Sequence, residues 1–280
     1  METDQTPLGR RSLLRIALCT GAAAAVAPLF STGGSGTPGR PAAPAPAAGP
    51  QAFRAGVHKA SAYRLRPMTA SAPYQLTRGA TPVREEPFLR MPSLGRSMVL
   101  TFDDGPDPLY TPDILRILRG HDVRAMFFVC GQRVADNGDL LRRIADDGHV
   151  VGNHSWSHPL LPDLTPSRIR AELERTSELI EKTIGTPPLW HRAPYGAWNR
   201  RTFEIGAELG MEPLAWTIDT LDWREPGTSA IVGRVVDEAE PGAVVLSHDA
   251  GGDRSQSVAA LRRYLPKLRR SGYRLTVPMR

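Results

Sequence analysis

From residue 98 onward, short apolar runs alternate with amphipathic helical segments, and this alternation limits the chain to few folds. Runs such as SMVLTF, VRAMFFVC and AVVLSH have the length of buried strands. Between them lie segments with helical spacing, for example TPDILRILRGH, where Thr111 is expected to be the N-cap and Pro112 the first helical residue. Repeated strand-helix units over about 180 residues imply a mostly parallel sheet, either open or closed into a barrel.

The first thirty residues are typical of an export signal. The pair Arg10 and Arg11 precedes an alanine-rich apolar run that ends near Phe30, which is a twin-arginine pattern. The run is shorter than the roughly 20 apolar residues that a membrane span requires. We therefore expect a secreted or cell-surface protein without stable membrane insertion after signal removal, with a retained anchor as the alternative. Cys19 lies in this signal, so the exported chain keeps only Cys130 and forms no internal disulfide.

Residues 31–97 form a basic linker and N-terminal extension rich in Pro, Ala and Gly. Residues 1–97 contain 12 Lys and Arg against 4 Asp and Glu, a net charge of +8. Residues 98–280 contain 23 against 25, a net charge of −2. Electrostatic contact of the basic segment with an anionic cell wall and simple solvation of a linker both fit this pattern. The acidic balance of the folded body argues against nucleic acid as a partner.

Polar clusters follow five of the predicted strands, each at the C-terminal end of its strand. The clusters are DDGP, HSWSH, RAPYG, DTLDW and SHD. The C-terminal ends of parallel barrel strands converge on one face, which is where barrel enzymes place their catalytic groups. Five clusters in register therefore indicate a catalytic site rather than unrelated surface residues.

The HSWSH cluster contains a metal-ligand spacing. His154 and His158 are four residues apart, which on a helix would place both imidazoles on one face, close enough to bind one ion. An aspartate from the pair Asp103 and Asp104 would complete the set, because the following Gly-Pro turns the chain there. Spacing alone does not tell which aspartate binds metal and which acts as a base.

In order along the chain, the motifs TFDDGP, HSWSH, RAPYG, DTLDW and LSHD resemble those of the polysaccharide deacetylases of carbohydrate esterase family four, which include the nodulation chitooligosaccharide deacetylases. The resemblance covers Met98 to Val277. It implies an α/β fold, a distorted (β/α) barrel of seven to eight strands with the active site at the C-terminal strand ends. It also implies that residues 98–280 are a metal-dependent catalytic domain. That domain would remove N-acetyl groups from peptidoglycan, chitin or chitooligosaccharides.

The resemblance assigns the metal site and the base. Asp104, His154 and His158 would bind the metal, and Asp103 would be the general base. Two imidazoles and one carboxylate leave open positions for water and for a substrate oxygen. Zinc is the default ion for this ligand set, with Co²⁺, Ni²⁺ and Mn²⁺ as alternatives.

The RAPYG motif would support this centre. Arg192 would keep Asp103 ionised and oriented, and the backbone N–H of Tyr195 would help to hold the oxyanion. The sequence departs from the family at two positions. Ala193 stands where a proline is usual, and His191 stands where an aromatic residue is common, so His191 is expected to be a packed neighbour.

The last two motifs would supply the general acid. By resemblance this acid is His248, and a carboxylate that holds the imidazole protonated makes it suited to a leaving amine near neutral pH. The supporting carboxylate maps to Asp222. Asp219 and Asp249 lie close in sequence and remain alternative partners.

Three further residues are candidates for substrate contact. Trp223 would form a sugar-stacking wall, with a buried structural tryptophan as the alternative. Leu246 would line the pocket for the acetyl methyl group. Pro194 of the RAPYG motif is the third candidate.

Other functions share part of this pattern. An O-acetyl esterase acting on xylan would use the same groups, and the motifs do not separate it from an N-deacetylase. A non-haem iron oxygenase also uses two histidines and a carboxylate, but it does not account for Arg192 or His248. A zinc protease of the H-E-x-x-H type would need glutamate where Ser155 stands. A non-catalytic cell-wall-binding module would be expected to lack a ligand or an acid–base residue, and none is missing.

Overall fold

Strands and helices alternate along the part of the chain that the computed structural model describes, residues 81–91 and 95–278. The strands are β1 (Ser97–Asp103), β2 (Met126–Val129), β3 (Val150–Asn153), β4 (Trp190–His191), β5 (Glu212–Pro213), β6 (Ile218–Asp219), β7 (Val244–His248) and β8 (Arg274–Leu275). The helices are α1 (Thr111–Gly120), α2 (Gly131–Asp136), α3 (Gly138–Asp146), α4 (Pro166–Ile184), α5 (Arg200–Glu208), α6 (Thr228–Asp237) and α7 (Ser255–Arg270).

The strands form one parallel sheet with the order β5-β4-β3-β2-β1-β7-β6, and β8 pairs with the start of β1. Register matters most at the C-terminal end of β1. Asp103 pairs with Phe128 of β2 on one side and with His248 of β7 on the other. The chain order therefore brings residues that are 145 positions apart side by side at the same sheet edge.

The sheet curls without closing. No ladder joins β5 to β6 in the described residues. The segment ahead of β1 contacts this seam: Phe88 bridges to Leu214, and Arg84 forms an ion pair with Glu212 of β5. The curled, mostly helix-wrapped sheet confirms the expected distorted (β/α) barrel of seven to eight strands.

Both faces of β1 are buried, and the period of two along a strand sorts its side chains. Met98, Leu100 and Phe102 pack in the larger core beneath the helices. Val99 packs in a second core with residues of β2, β4 and β7. Asp103, two pleats further along this second face, is thereby aimed at the inside of the curl.

Thr111 does not cap α1 as its sequence position suggested. The N-cap is Tyr110, which makes no side-chain capping bond. The Thr111 hydroxyl instead accepts from the Asp107 N–H at 2.8 Å and donates to Asp249 Oδ2 at 2.5 Å. The residue is buried, and it links the turn after β1 to the end of β7.

No helix among the described residues is long and apolar enough to span a membrane. The expected export signal at residues 1–30 and most of the linker and extension at 31–97 lie outside the described residues. The predictions made for those segments remain predictions.

Candidate active site

The five motifs meet around one cavity of about 740 Å³ at the C-terminal edge of the sheet. Eight of the eleven residues predicted to act in catalysis, metal binding or substrate contact line it: Asp103, Asp104, His154, His158, Tyr195, Trp223, Leu246 and His248. Arg192 and Asp222 are buried and make direct hydrogen bonds to lining residues. Pro194 is buried in the 3-10 turn that presents Tyr195, and the described cavity wall does not include it.

Asp104, His154 and His158 form a compact ligand cluster. One donor atom from each lies within 4.8 Å of the others. His154 Nε2 is 3.5 Å and His158 Nε2 is 3.3 Å from the same carboxylate oxygen, Asp104 Oδ1. That oxygen is buried and has no hydrogen-bond partner among the described residues. A buried, unpartnered carboxylate oxygen facing two imidazole nitrogens is a donor set that can hold a metal ion.

The two histidines do not lie on a helix, so the helical-face interpretation of their spacing was wrong. They occupy a loop after β3 in which Ser155 and His158 have positive φ angles of 67° and 59°. The Ser155 N–H donates to Asn153 Oδ1 at 2.8 Å, and the His158 N–H donates to Ser155 Oγ at 3.1 Å. These local bonds fold the chain back, so that residues four apart converge without a helical turn.

Glu172 of α4 holds the middle of this loop and was not anticipated. Its Oε2 accepts from the N–H groups of Trp156 and Ser157, both at 2.8 Å, and its Oε1 accepts from Ser157 Oγ at 2.9 Å. Three bonds to one carboxylate satisfy donors between the two histidines. The sequence carries only a weak signal for this role, a glutamate beside the buried Leu173 on an otherwise amphipathic helix.

A hydrogen bond on the side of the ring away from Asp104 fixes the orientation of the His154 imidazole. Its Nδ1 lies 2.8 Å from the carbonyl oxygen of Arg192, so an Nδ1–H donor leaves Nε2 free toward Asp104. Burial lowers the pKa of His154, but the nearby negative charges of Asp103 and Asp104 outweigh it and raise that pKa. Burial likewise raises the pKa of Asp104, yet the three cavity histidines bring it far below its usual range. The cluster thus favours a positive charge at its centre.

Asp103 is 2 % exposed, and its carboxylate forms an ion pair with Arg192. Arg192 Nη1 donates to Asp103 Oδ1 at 2.7 Å and to Thr101 Oγ1 at 2.8 Å. Its Nε and Nη2 donate to the carbonyls of Leu214 and Ala215. A fully buried guanidinium with every branch engaged fixes the position of the carboxylate, which is what a planar five-donor group achieves and an ammonium does not.

His248 is joined to Asp222 rather than to Asp219 or Asp249. Its Nδ1 lies 2.7 Å from Asp222 Oδ1, and its backbone N–H donates to Asp222 Oδ2 at 2.9 Å. Ser257 Oγ also donates to Asp222 Oδ2, at 2.7 Å. Burial lowers the pKa of His248, but the hydrogen bond and charge of Asp222, with smaller contributions from Asp104 and Asp103, raise it to about 9.

Asp249 has a place of its own beneath the turn after β1. A side chain at Gly105 would meet its carboxylate at 2.3 Å, so glycine is required there. Burial, with added repulsion from Asp104 and Asp103, raises the pKa of Asp249 to about 7, although the Thr111 hydrogen bond opposes this. From the sequence, Asp249 was expected only as an alternative partner for His248, and the structure places it against Thr111 instead.

Exposed aromatic residues stand around the mouth of the cavity. Tyr195 is 68 % exposed, has a φ of 61°, and packs edge-on against the ring of His158 at 4.6 Å between centroids. Trp223 is 47 % exposed and carries the guanidinium of Arg224 over its ring at 4.5 Å. Trp223 is therefore not a buried structural tryptophan. Leu246 is 4 % exposed and forms part of the cavity wall.

His191 lies outside the cavity, in the packed position expected for it. Its ring contacts Trp198 edge-on at 5.3 Å, and a Cβ at Gly206 would come within 2.3 Å of Nε2. Neither ring nitrogen has a partner in the described part of the chain. Burial alone lowers the pKa of His191 to about 3, so the ring is neutral at any ordinary pH.

Cys130 is 5 % exposed and lies at the cavity wall. Burial and the charge of Asp104 raise the pKa of its thiol well above the usual value. A protonated, enclosed thiol is a poor nucleophile, and we assign it no chemistry.

Comparison with known proteins agrees with this architecture. The polysaccharide deacetylase family model matches residues 91–214. The chain is 39 % identical over 204 residues to a chitooligosaccharide deacetylase of Rhizobium leguminosarum bv. trifolii, covering 69 % of this chain and 95 % of that protein. Enzymes of that name are hydrolases acting on C–N bonds.

Two solved structures illustrate the range of this fold. The Bc1960 peptidoglycan N-acetylglucosamine deacetylase superposes with a TM-score of 0.66 at 35 % identity, covering 68 % of this chain and 90 % of that one. A mutant of BA3943 from Bacillus anthracis, described as a CE4 family pseudoenzyme with restored activity, gives 0.64 at 34 % identity and covers 69 % and 70 %. By these matches, the chain belongs to the polysaccharide deacetylase family, the hydrolases of carbohydrate esterase family four.

Proposed function

We propose that the protein hydrolyses the N-acetyl groups of N-acetylglucosamine residues in a cell-wall or chitin-type polysaccharide, with Asp103 as base and His248 as acid. The observation that carries this proposal is the register of β1 and β7, which places these two residues side by side at the edge of one cavity. Each has its own buried partner of opposite charge, Arg192 or Asp222. Paired environments of this kind separate an acid from a base.

A divalent ion, for which zinc is the default, would be held by Asp104, His154 and His158 and would supply Lewis acidity for the acetyl carbonyl and the attacking water. The donor set supports this, because the buried Asp104 Oδ1 and the two Nε2 atoms already converge. Cobalt, nickel and manganese fit the same three ligands.

The chain's own residues account for the proton transfers. Asp103 accepts a proton from the water that attacks the acetyl carbon, while Arg192 holds the carboxylate in place. The Tyr195 N–H donates to no acceptor among the described residues and is available to the oxyanion. His248 donates the proton that the amine needs as the C–N bond breaks, and acetate and a glucosamine amine are the products.

The cavity walls suggest how the sugar is held. Trp223 presents an exposed face on which a sugar ring can stack, and Leu246 offers an apolar surface for the acetyl methyl group. Tyr195 adds a second exposed ring to the lining of the same cavity. Chitooligosaccharide and peptidoglycan are the substrates named for similar proteins.

We also propose that the protein works outside the cytoplasm after export by the twin-arginine route, with the basic residues of 31–97 in contact with an anionic wall. The support for this is the arginine pair at positions 10 and 11 and the composition of residues 31–97, which contain 9 Lys and Arg against 2 Asp and Glu, a net charge of +7. Changing both arginines to lysine should retain the protein in the cytosol, as seen by fractionation. Unchanged export would contradict the proposed route.

Acetate release tests the main proposal. The purified protein is assayed on N-acetylglucosamine oligomers, peptidoglycan and acetylated xylan, before and after chelation and zinc add-back. We expect metal-dependent acetate from the glucosamine polymers. Acetate from xylan alone would show an O-acetyl esterase instead, and no acetate from metal-loaded protein would favour a binding role.

A further inference from the structure

A shallow groove of about 600 Å³ adjoins the catalytic cavity. Its lining residues are Gln132, Arg133, Ala135, Asp136, Trp156 and Arg175. Gln132 and Arg133, the second and third residues of α2, also line the catalytic cavity. A polymer seated over the catalytic cavity can therefore extend into this groove without leaving the surface.

Arg133 contributes one of the positive charges in the wall of the catalytic cavity. Two arginines line that cavity. Arg254 is 3 % exposed, and its guanidinium is taken up by main-chain carbonyls, including those of Ala250 and Gly251. Arg133 is exposed, and no carboxylate in the described residues forms an ion pair with it. Arg133 is thus the cavity-lining guanidinium that remains available to a ligand.

A second guanidinium in the groove is already oriented. The Arg175 guanidinium lies 3.5 Å over the ring of Trp156. It also has no carboxylate partner within the described ranges, and Asp136, the acid in the groove lining, pairs with neither arginine. Two other helix arginines, Arg142 and Arg170, each form an ion pair with a carboxylate.

Stacking on an aromatic ring holds the fork of donors in a fixed plane, which reduces the ordering cost when an anion binds. Two guanidiniums beside one indole form a surface for a sugar that bears a carboxylate. The half-buried indole holds one guanidinium in place, and the guanidinium forks match carboxylate geometry.

We propose that this groove, named here the Arg133–Arg175 groove, binds a carboxylate carried by the sugar next to the one that is deacetylated. The inference rests on the proposed function and deepens it, because it favours an anionic glycan of the peptidoglycan type over neutral chitin. In peptidoglycan, every second sugar carries a lactyl group whose carboxyl is either free, as a carboxylate, or joined by an amide bond to a peptide that bears carboxylates of its own. The groove recognises the carboxylate chemistry common to both.

The test compares substrates that differ only in charge. Glycan strands freed of peptide are used as they are or after carbodiimide amidation of the lactyl carboxylates, with neutral chitooligosaccharide as a third substrate. Wild type, Arg133→Gln and Arg175→Gln are assayed for acetate release. Arg270→Gln, at the exposed C-terminal end of α7, is the matched control.

We expect both groove variants to raise KM on the untreated strands by about tenfold or more, as for loss of a charge-assisted hydrogen bond, with kcat unchanged. KM on amidated strands and on chitooligosaccharide should not change. The wild-type preference for charged strands should also fade as salt is added. Equal KM changes on charged and neutral substrates, or none on either, would overturn the inference while leaving the deacetylase function standing.

Equilibrium binding separates failure of the inference from failure of the proposed function. Calorimetry with chelated wild type and chelated Arg133→Gln measures affinity for the same strands without turnover. Weaker binding of charged strands by the variant supports the groove even if no acetate is ever released, and equal binding rejects it. Peptide-bearing strands, in which the lactyl carboxyl is held in an amide bond, form the last arm: an effect of the variant that disappears there assigns the carboxylate to the lactyl group, and an effect that persists there assigns it to the peptide.

Discussion

Arg192 Nη1 donates to Asp103 Oδ1 over 2.7 Å, and neither side chain has more than a few per cent of its surface exposed. The pair stands behind a cluster whose other aspartate, Asp104, faces two histidines instead. Adjacent residues therefore differ in environment. One carboxylate is bound to a buried guanidinium, and the other converges with imidazole nitrogens.

This division predicts opposite behaviour for two isosteric substitutions. Asp103→Asn should lower kcat by about 10²–10⁴-fold, the usual contribution of a general base, while zinc content stays near that of wild type. Asp104→Asn should lose activity together with bound metal, because a charged ligand is removed. Metal analysis of the dialysed proteins beside acetate release makes the comparison.

Stability measurements accompany that comparison. Asp103→Asn leaves the buried Arg192 without its counter-charge, and the free energy of unfolding should fall by about 3 kcal/mol. Circular dichroism must therefore show a folded protein before kcat is interpreted. Metal loss in Asp103→Asn with retention in Asp104→Asn would mean that the two roles are exchanged.

The pairing of His248 with Asp222 predicts an alkaline limit for activity. A general acid acts only while protonated, and the pKa of His248 is raised to about 9, so the imidazole is charged below that pH and loses its proton above it. Deacetylation should therefore decline as the pH passes about 9. Asp222→Asn removes the bond and charge that raise this pKa and leaves burial, which lowers it. The alkaline limit should move to lower pH.

Asp219→Asn is the control for that shift, since Asp219 accepts from the Leu221 N–H and forms no hydrogen bond or ion pair with His248 in the described structure. If the alkaline limit moves in Asp219→Asn and not in Asp222→Asn, Asp219 rather than Asp222 is the residue that raises the pKa of His248.

The identity of the leaving group gives an independent test of His248. An amine must be protonated to leave, whereas an aryl oxide leaves readily without a proton. His248→Ala should therefore lose about 10²-fold or more on N-acetylglucosamine oligomers and much less on an aryl acetate. Equal losses on both substrates would argue against a proton-donating role.

Glu172 should control metal affinity without touching the metal site. Glu172→Ala frees three donors in the loop between His154 and His158, and that loop contains two non-glycine residues with positive φ. We expect zinc affinity to fall by about 10–100-fold, the range for outer-shell partners of metal ligands. Competition with a chromogenic chelator measures it.

Glu172→Gln retains one acceptor oxygen and should recover part of the affinity. Glu178→Ala, at an exposed position of the same helix, should leave affinity unchanged. If Glu172→Ala and Glu178→Ala lower thermal stability alike and neither changes zinc affinity, Glu172 has a structural role only.

The fold and the grouping of the motifs were predictable because both depend on periodic signals. Strand-helix alternation requires a parallel sheet, and parallel strands bring their C-terminal ends together. Asp103 and His248 could thus be placed at one edge from the order of the strands alone.

What could not be predicted depends on backbone angles and on helix rotation. A spacing of four residues fits a helical turn and also a loop closed by a hydrogen bond to Ser155 Oγ. The amino-acid sequence gives no sign that Ser155 and His158 have positive φ angles. Glu172 follows His158 by fourteen residues, and only the packing of α4 turns it toward the loop. Thr111 occupies a typical capping position, yet the buried carboxylate of Asp249 competes for its hydroxyl.

His191 predicts a measurable acid sensitivity of the fold. In the native state its pKa is lowered from 6.5 to about 3, so between those values the unfolded chain binds a proton that the native chain does not. The free energy of unfolding therefore does not change with this group above pH 6.5, and it falls by about 1.4 kcal/mol for each pH unit between 6.5 and about 3. His191→Leu should remove this slope between pH 6 and 4 in urea unfolding.

The same substitution should be neutral or stabilising at pH 7, because two buried ring nitrogens without partners in the described structure disappear. His121→Gln, at the C-cap of α1, is the matched control and should keep the wild-type slope. If wild type and His191→Leu lose stability in parallel on acidification, the ring is protonated in the native state. Water would then reach a nitrogen against which Trp198 and Gly206 pack in the structure.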